Sequence, residues 1–246
     1  MNSIGMGVST FVLVFGGALL GTSIGTRLPR NHLDADTKDV VRLAMAMVGT
    51  MAAIALGLLT SSAYSYYNNQ TDDLVHAAAD VVDLGRVLQR YGPEANGARE
   101  SLRMAVEKSL LELSSRQKPT KKSNQIEVFY DQLEGLTPKD DAQRVLKSEA
   151  LELLKSMSQI RSLMIEQTST TVLRPLLFVV IFWLTGIFVS WGLFSPRNAT
   201  VVFTFLVASL CVSAAIMLIL DLYSPYSGVL RLSTAPLRLA YQSLGQ

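Results

Sequence analysis

Asp72, Asp73, His76, Asp80 and Asp83 recur every three or four residues, the one spacing in this chain that resembles a ligand set. On a helix such steps stack side chains on one face. Asp73, His76 and Asp80 could there share a divalent cation through oxygen and nitrogen donors. The same residues also suit a solvated helix start, where acidic groups complement the helix dipole. The solvated face is the reading adopted, so no metal is assigned. Arg174 and Asp221 matter for a different reason, because each borders an apolar stretch. They could pair, snorkel to the interface, or present one ring of charge per oligomer. No catalytic constellation accompanies them. The chain has no CxxC, no HExxH, no phosphate-cradling glycine loop after a strand and no Ser/His/Asp set. It reads as a non-enzyme that needs no cofactor.

The elements around these residues are dominated by four apolar stretches, 4–25, 43–64, 175–194 and 199–220, none of which contains Asp, Glu, Lys, Arg or His. Each is near the roughly 20 residues that a helix needs to cross a ~30 Å hydrocarbon core. Lipid cannot satisfy exposed backbone groups, so such stretches are helical. Between the second and third lies an insert, 65–174, holding 15 of the 22 basic and 16 of the 20 acidic residues. The expected fold is an all-α membrane protein with four transmembrane helices in two hairpins and a helical soluble insert between spans two and three. Its divisions are 1–64 (first hairpin), 65–174 (extramembrane domain), 175–222 (second hairpin) and 223–246 (interfacial C-terminal tail). The near-neutral insert offers no basic face for nucleic acid. Cys211, alone in the fourth span, reads as a small packed residue. The first stretch lacks a basic n-region and a small-residue cleavage site, so it reads as a retained helix rather than a signal peptide.

Small residues punctuate the first two spans. Gly17, Gly21 and Gly25 recur every fourth residue on the first, and Gly49, Ala53 and Gly57 do so on the second. Small residues let helix backbones approach closely in lipid. They predict a tight hairpin of spans one and two, or contact with a neighbouring subunit. In the insert, Leu74, Ala78, Val81, Gly85 and Leu88 mark an amphipathic helix that stops at Tyr91-Gly92-Pro93. A second helix carries Leu102, Val106 and Leu110, and a basic loop follows around Pro119. Further on, Leu146, Ala150, Leu153, Met157, Ile160 and Met164 form a 4-3-4-3-4 seam. No proline or glycine interrupts 140–173, so this helix is expected to continue into span three. The stretch 230–244 is amphipathic and is expected to lie along the interface or on the insert.

Four crossings put both termini and the insert on one side. Basic residues number five in the short loops and four on the competing side, a near balance, while the bare N-terminus favours short loops inside. Proton-coupled mechanisms usually need ionisable residues within the membrane, and these spans have none. A passive channel needs only an apolar constriction or charged mouths.

The chain resembles the bacterial bestrophin-like membrane proteins (the DUF4239 group). Three segments carry the resemblance. The first includes Leu28-Pro29, Val40-Val41-Arg42 and Leu56-Gly57-Leu58-Leu59. The second is Tyr91-Gly92-Pro93-Glu94-Ala95 with Arg99. The third is Asp221 with Pro225, Ser227-Gly228 and Pro236-Leu237. The resemblance implies a bacterial inner-membrane protein with four spans and a helical insert, remotely related to bestrophins, which are pentameric anion channels. Bestrophins carry an acidic calcium clasp after the last span and an aromatic constriction in the second. Here 222–246 contains no Asp or Glu, and 43–64 contains no Phe or Trp. Bestrophins also keep the inter-pair domain in the cytosol, opposite to the side that the charge pattern favours. The expected function is a homo-oligomeric passive ion channel in the lipid bilayer, with Met47, Met51, Ile54 and Leu58 as its apolar constriction. The alternative is a non-conducting membrane scaffold or sensor whose insert binds a partner.

Overall fold

The computed structural model describes residues 3–27, 34–115, 124–167, 173–226 and 228–245. All the regular elements among them are helical. In order they are α1 (Ser3–Gly25), α2 (Ala35–Tyr91), a 3₁₀ turn (Pro93–Ala95), α3 (Asn96–Ser114), α4 (Asn124–Glu134), α5 (Asp141–Gln167), α6 (Leu173–Leu193), α7 (Ala199–Leu222) and α8 (Ala235–Ser243). Four of them, α1, α2, α6 and α7, are long and apolar enough to cross a membrane. The loop holding His32, the basic loop around Pro119, the 168–172 junction of α5 with α6, and the side chain of Arg174 lie outside the described residues. The chain forms two units, which divide at Tyr66 and Tyr67, inside α2.

The membrane unit comprises Met1–Tyr66, Thr171–Ser224 and Gly228–Leu230. Its centre is α1, which packs on both α6 and α7 and buries Val14 and Ala18 completely. Small residues set the α1–α6 distance. A Cβ added to Gly21 would strike the Val189 carbonyl, and one added to Gly192 would strike the Ala18 carbonyl. The two glycines thus relieve each other's helix, an approach that any larger side chain would push apart. This corrects the expected tight hairpin of spans one and two. The glycine stripe of α1 seats on α6, while a Cβ on Gly49 of α2 would meet only the Ile187 side chain, at 3.8 Å, and one on Gly57 would meet nothing.

The second unit comprises Tyr67–Thr170, Pro225–Ser227 and Arg231–Gln246. Its core gathers Leu84 and Leu88 of α2, Leu102 of α3, Phe129 and Leu133 of α4 and Leu154 of α5. The seam on α5 is rotated slightly from the expected register. Leu154 is buried, whereas Leu153 and Met157 are half-buried and pack against the core's edge. Of the two places expected for the amphipathic tail, the interface and the insert, it takes the insert: α8 places Leu237 and Ala240 in this core, and Leu244 closes over Gly85.

The sequence suggests separate helices on either side of Tyr64. They are one uninterrupted 57-residue helix, α2. No glycine or proline stands between Gly57 and Gly85, so nothing in the backbone chemistry ends the helix where the hydropathy changes.

Candidate functional site

The apolar part of α2 has three faces. Ala52, Leu59 and Ala63 form a buried face. Beside it runs an exposed small-residue face, Ala46, Thr50, Ala53 and Gly57, at steps of four, three and four residues. The third face is apolar and large. Met47, Met51, Ile54 and Leu58 follow the same steps and are 58–67% exposed. Val40 and Leu43 extend this line toward the start of the helix. Both were missed from sequence because they lie at or before the edge of the uncharged stretch. Only 11% of the most apolar window of α2 is buried, against 28–39% for the other three spans. This helix is therefore the least covered element of the membrane unit.

Asp221, at the C-terminal end of α7, is buried. Its carboxylate accepts the backbone N–H groups of Val229 (2.9 Å) and Leu230 (2.6 Å) and the hydroxyl of Ser3 on α1 (3.0 Å). The start of α1, the end of α7 and the segment after it thus meet on one carboxylate. Gly228 is required for this approach, because a Cβ there would overlap the Asp221 carboxylate. The motif's spacing is explained by a turn, closed by the Ser224 N–H on the Asp221 carbonyl and the Gly228 N–H on the Ser224 carbonyl, both 2.9 Å. Asp221 is therefore not a charge presented to solvent, which corrects the ring reading for this residue.

Residues within and just after this turn contact α2 in each unit. In the membrane unit, Tyr223 donates to Ser62 Oγ (2.8 Å) and packs on Tyr66 with ring centroids 5.3 Å apart. In the second unit, the Tyr226 hydroxyl donates to the fully buried Gln70 at 2.5 Å, and Tyr67 donates to the Arg231 carbonyl at 3.1 Å. Gln70 carried no signal in the sequence, because a lone glutamine beside Asn68 and Asn69 reads as solvated.

The Tyr91-Gly92-Pro93-Glu94-Ala95 segment is a corner that docks on the start of α5. Gly92 has φ 115°, ψ −172°, a conformation nearly confined to glycine. Pro93 opens the 3₁₀ turn. Glu94 pairs with Lys139, whose ammonium holds the Glu94 carboxyl below its ordinary range. Gln143 donates its side-chain amide to the Tyr91 carbonyl (2.9 Å), and its backbone N–H is capped by Asp140 (2.6 Å).

The acidic run on α2 is dispersed. Asp80 accepts the Ser156 hydroxyl of α5 at 2.8 Å, and His76 is exposed. Among the described residues no group of three or more His, Cys, Asp or Glu is arranged to hold a metal ion. Asp73 is unusual in another way, since its Oδ2 is buried without a hydrogen-bond partner among the described residues. Burial pushes its carboxyl above the ordinary aspartate value, against a smaller opposing pull from His76.

A family model described as the Bestrophin-like domain matches residues 12–237. A crystal structure of a bacterial bestrophin homolog from Klebsiella pneumoniae, carrying a mutation, shares the fold at a TM-score of 0.70. The alignment covers 97% of this chain and 99% of that one at 14% identity. No curated protein matches the chain. The match of the family model along nearly the whole length places the apolar face of α2, the Gly92 corner and the Asp221 turn within one shared domain, and the chain belongs to the bestrophin-like family.

Proposed function

We propose that this protein is the subunit of a homo-oligomeric, passive ion channel of the bacterial inner membrane, with α2 lining the axis. The observation that carries the reading is the near absence of cover on the membrane part of α2, combined with the separation of its exposed surface into two faces. The small face of Ala46, Thr50, Ala53 and Gly57 suits close contact with a neighbouring copy. The large face then points to the axis, where Met47, Met51, Ile54 and Leu58 form an apolar constriction. Such a constriction gates by dewetting, because water and ions leave a narrow apolar passage unless it widens or becomes more polar. Conduction is passive in this reading, since the apolar stretches lack ionisable side chains.

The test is ion flux from liposomes holding the purified oligomer. Wild type should dissipate an imposed ion gradient without any pH gradient. Ile54→Ser and Leu58→Ser should raise the flux several-fold, because a hydroxyl at the constriction stabilises water there. Silence of wild type and both variants toward several anions and cations, from oligomers shown to be intact, would return the protein to the second class, a scaffold or sensor whose helical insert binds a partner.

A further inference from the structure

Of the methionines among the described residues, Met47 and Met51 are the two most exposed, at 67% and 58%. Met6 of α1 and Met217 of α7 are half-buried, and Met164 is buried. Met47 and Met51 are four residues apart on one helix, so their thioethers are neighbours on the large apolar face of α2. For excluding water a leucine would serve as well. The thioether differs in that it can be oxidised. Both lie in the middle of the apolar line over 40–58, which is about 27 Å long by helical rise.

We infer that Met47 and Met51 are a modification site through which oxidation opens the gate. The inference rests on the channel reading above and adds its regulation. The modifying agent is a small uncharged two-electron oxidant, hydrogen peroxide, which goes wherever water goes. The thioether sulfur attacks one peroxide oxygen, and an S–O bond forms as the O–O bond breaks. The leaving hydroxide takes the proton from the transferred oxygen. Sulfur is thereby oxidised by two electrons to the sulfoxide, and the peroxide is reduced to water. The product is polar where the thioether was apolar, and its oxygen accepts hydrogen bonds from water. Oxidation of both residues divides the apolar line into pieces of about 5 Å (40–43) and about 6 Å (54–58). A short apolar passage holds water that a long one expels, so the gate opens.

The purified oligomer in vesicles of diphytanoyl phosphatidylcholine, whose saturated chains resist oxidation, provides the test. After treatment with hydrogen peroxide, peptide mass spectrometry should find Met47 and Met51 gaining one oxygen each about tenfold faster than Met6 and Met217. Ion flux should rise several-fold in step with that gain and should not revert with dithiothreitol, which reduces oxidised thiols but not sulfoxides. Met47→Leu/Met51→Leu, whatever its own flux, should stay within twofold of its untreated level. Met104→Leu and Cys211→Ala, exposed groups off this face, should respond like wild type. Met47 and Met51 left unoxidised while Met104 reacts would overturn the proposal, because water then does not reach them. A rise that persists in Met47→Leu/Met51→Leu would overturn it too. Full oxidation of both residues without change of flux, in a wild type that conducts beforehand, would overturn the proposal and leave the channel reading in place. Silence both before and after full oxidation would remove the channel reading itself, and the proposal with it.

Discussion

Replacing Asp221 with alanine removes one side chain but should release three parts of the chain. The wild-type carboxylate accepts two backbone N–H groups and one hydroxyl. Bonds to a charged acceptor contribute about 1.5–3 kcal/mol each when the site is dry. The donors here are not all dry, since Val229 and Leu230 have exposed side chains, so water takes over part of the lost bonding. A net cost of about 2–4 kcal/mol is reasonable for the segment. At roughly 1.4 kcal/mol per decade, local opening of 228–230 should become about 30- to 700-fold more frequent.

Limited trypsin digestion in detergent reads this directly, because Arg231 directly follows the anchored residues and is cut only when the segment opens. Asp221→Ala should accelerate cleavage at Arg231 by a factor in that range. Asp221→Asn should fall close to it, since the amide turns an N–H toward a backbone N–H. Ser3→Ala removes only the hydroxyl and should accelerate cleavage about two- to tenfold, from a loss of about 0.5–1.5 kcal/mol. If Asp221→Ala is cut within twofold of the wild-type rate, the carboxylate does not hold the segment and the account of the motif is wrong.

Gly92→Ala should cost about 1–3 kcal/mol, because its backbone conformation strains any residue with a Cβ; chemical denaturation followed by helical circular dichroism checks it. Gly21→Val and Gly192→Val should each force α1 from α6 and reduce the yield of monodisperse protein on size exclusion, whereas Gly16→Val, where a Cβ meets nothing within 4 Å, should leave it unchanged. For Asp73 the folded carboxyl titrates above its unfolded value, so its contribution to stability is full below the unfolded pKa and is lost as pH rises through the folded one. Asp73→Asn should therefore raise the melting temperature at pH 7.5, with the gain shrinking as pH falls toward 4; equal melting curves of the two proteins at both pH values would refute this.

The spans were legible because the absence of charge over some 20 residues has one physical meaning in a polytopic chain. The partners of those spans were not. A glycine every fourth residue announces a close approach but does not say to what, and the matching Gly192 on α6 is a single residue with no periodic signal. Similarly, Asp221 was visible as a charge at a membrane edge, and the obvious partner was another side chain. Its partners are instead N–H groups eight and nine residues onward, and backbone donors carry no mark in a sequence. The continuity of α2 was legible in principle from the lack of Gly and Pro between Gly57 and Gly85. The change in hydropathy at Tyr64 obscured it, because hydropathy reports the surroundings of a helix and not where its hydrogen bonding stops.

The same distinction governs how the exposed surface of α2 is understood. Exposed apolar side chains also cover α6 and α7, where Phe178, Phe182, Phe203 and Leu210 are of the size that acyl chains solvate well. The hydroxyls on α2 do not by themselves argue for a watery passage. Thr50 bonds back to the Ala46 carbonyl (3.0 Å) and Thr60 to the Leu56 carbonyl (2.8 Å), so either could face lipid without an unsatisfied donor. What sets α2 apart is the pairing of a small face with a large one on a helix that its own protomer barely covers. Lipid gains little from a small face, whereas a second helix gains close backbone contact. In the channel proposed above, a neighbour would occupy the small face of each copy; the face of Met47, Met51, Ile54 and Leu58 would then turn to the axis, where its apolar character would serve as a gate rather than a lipid contact.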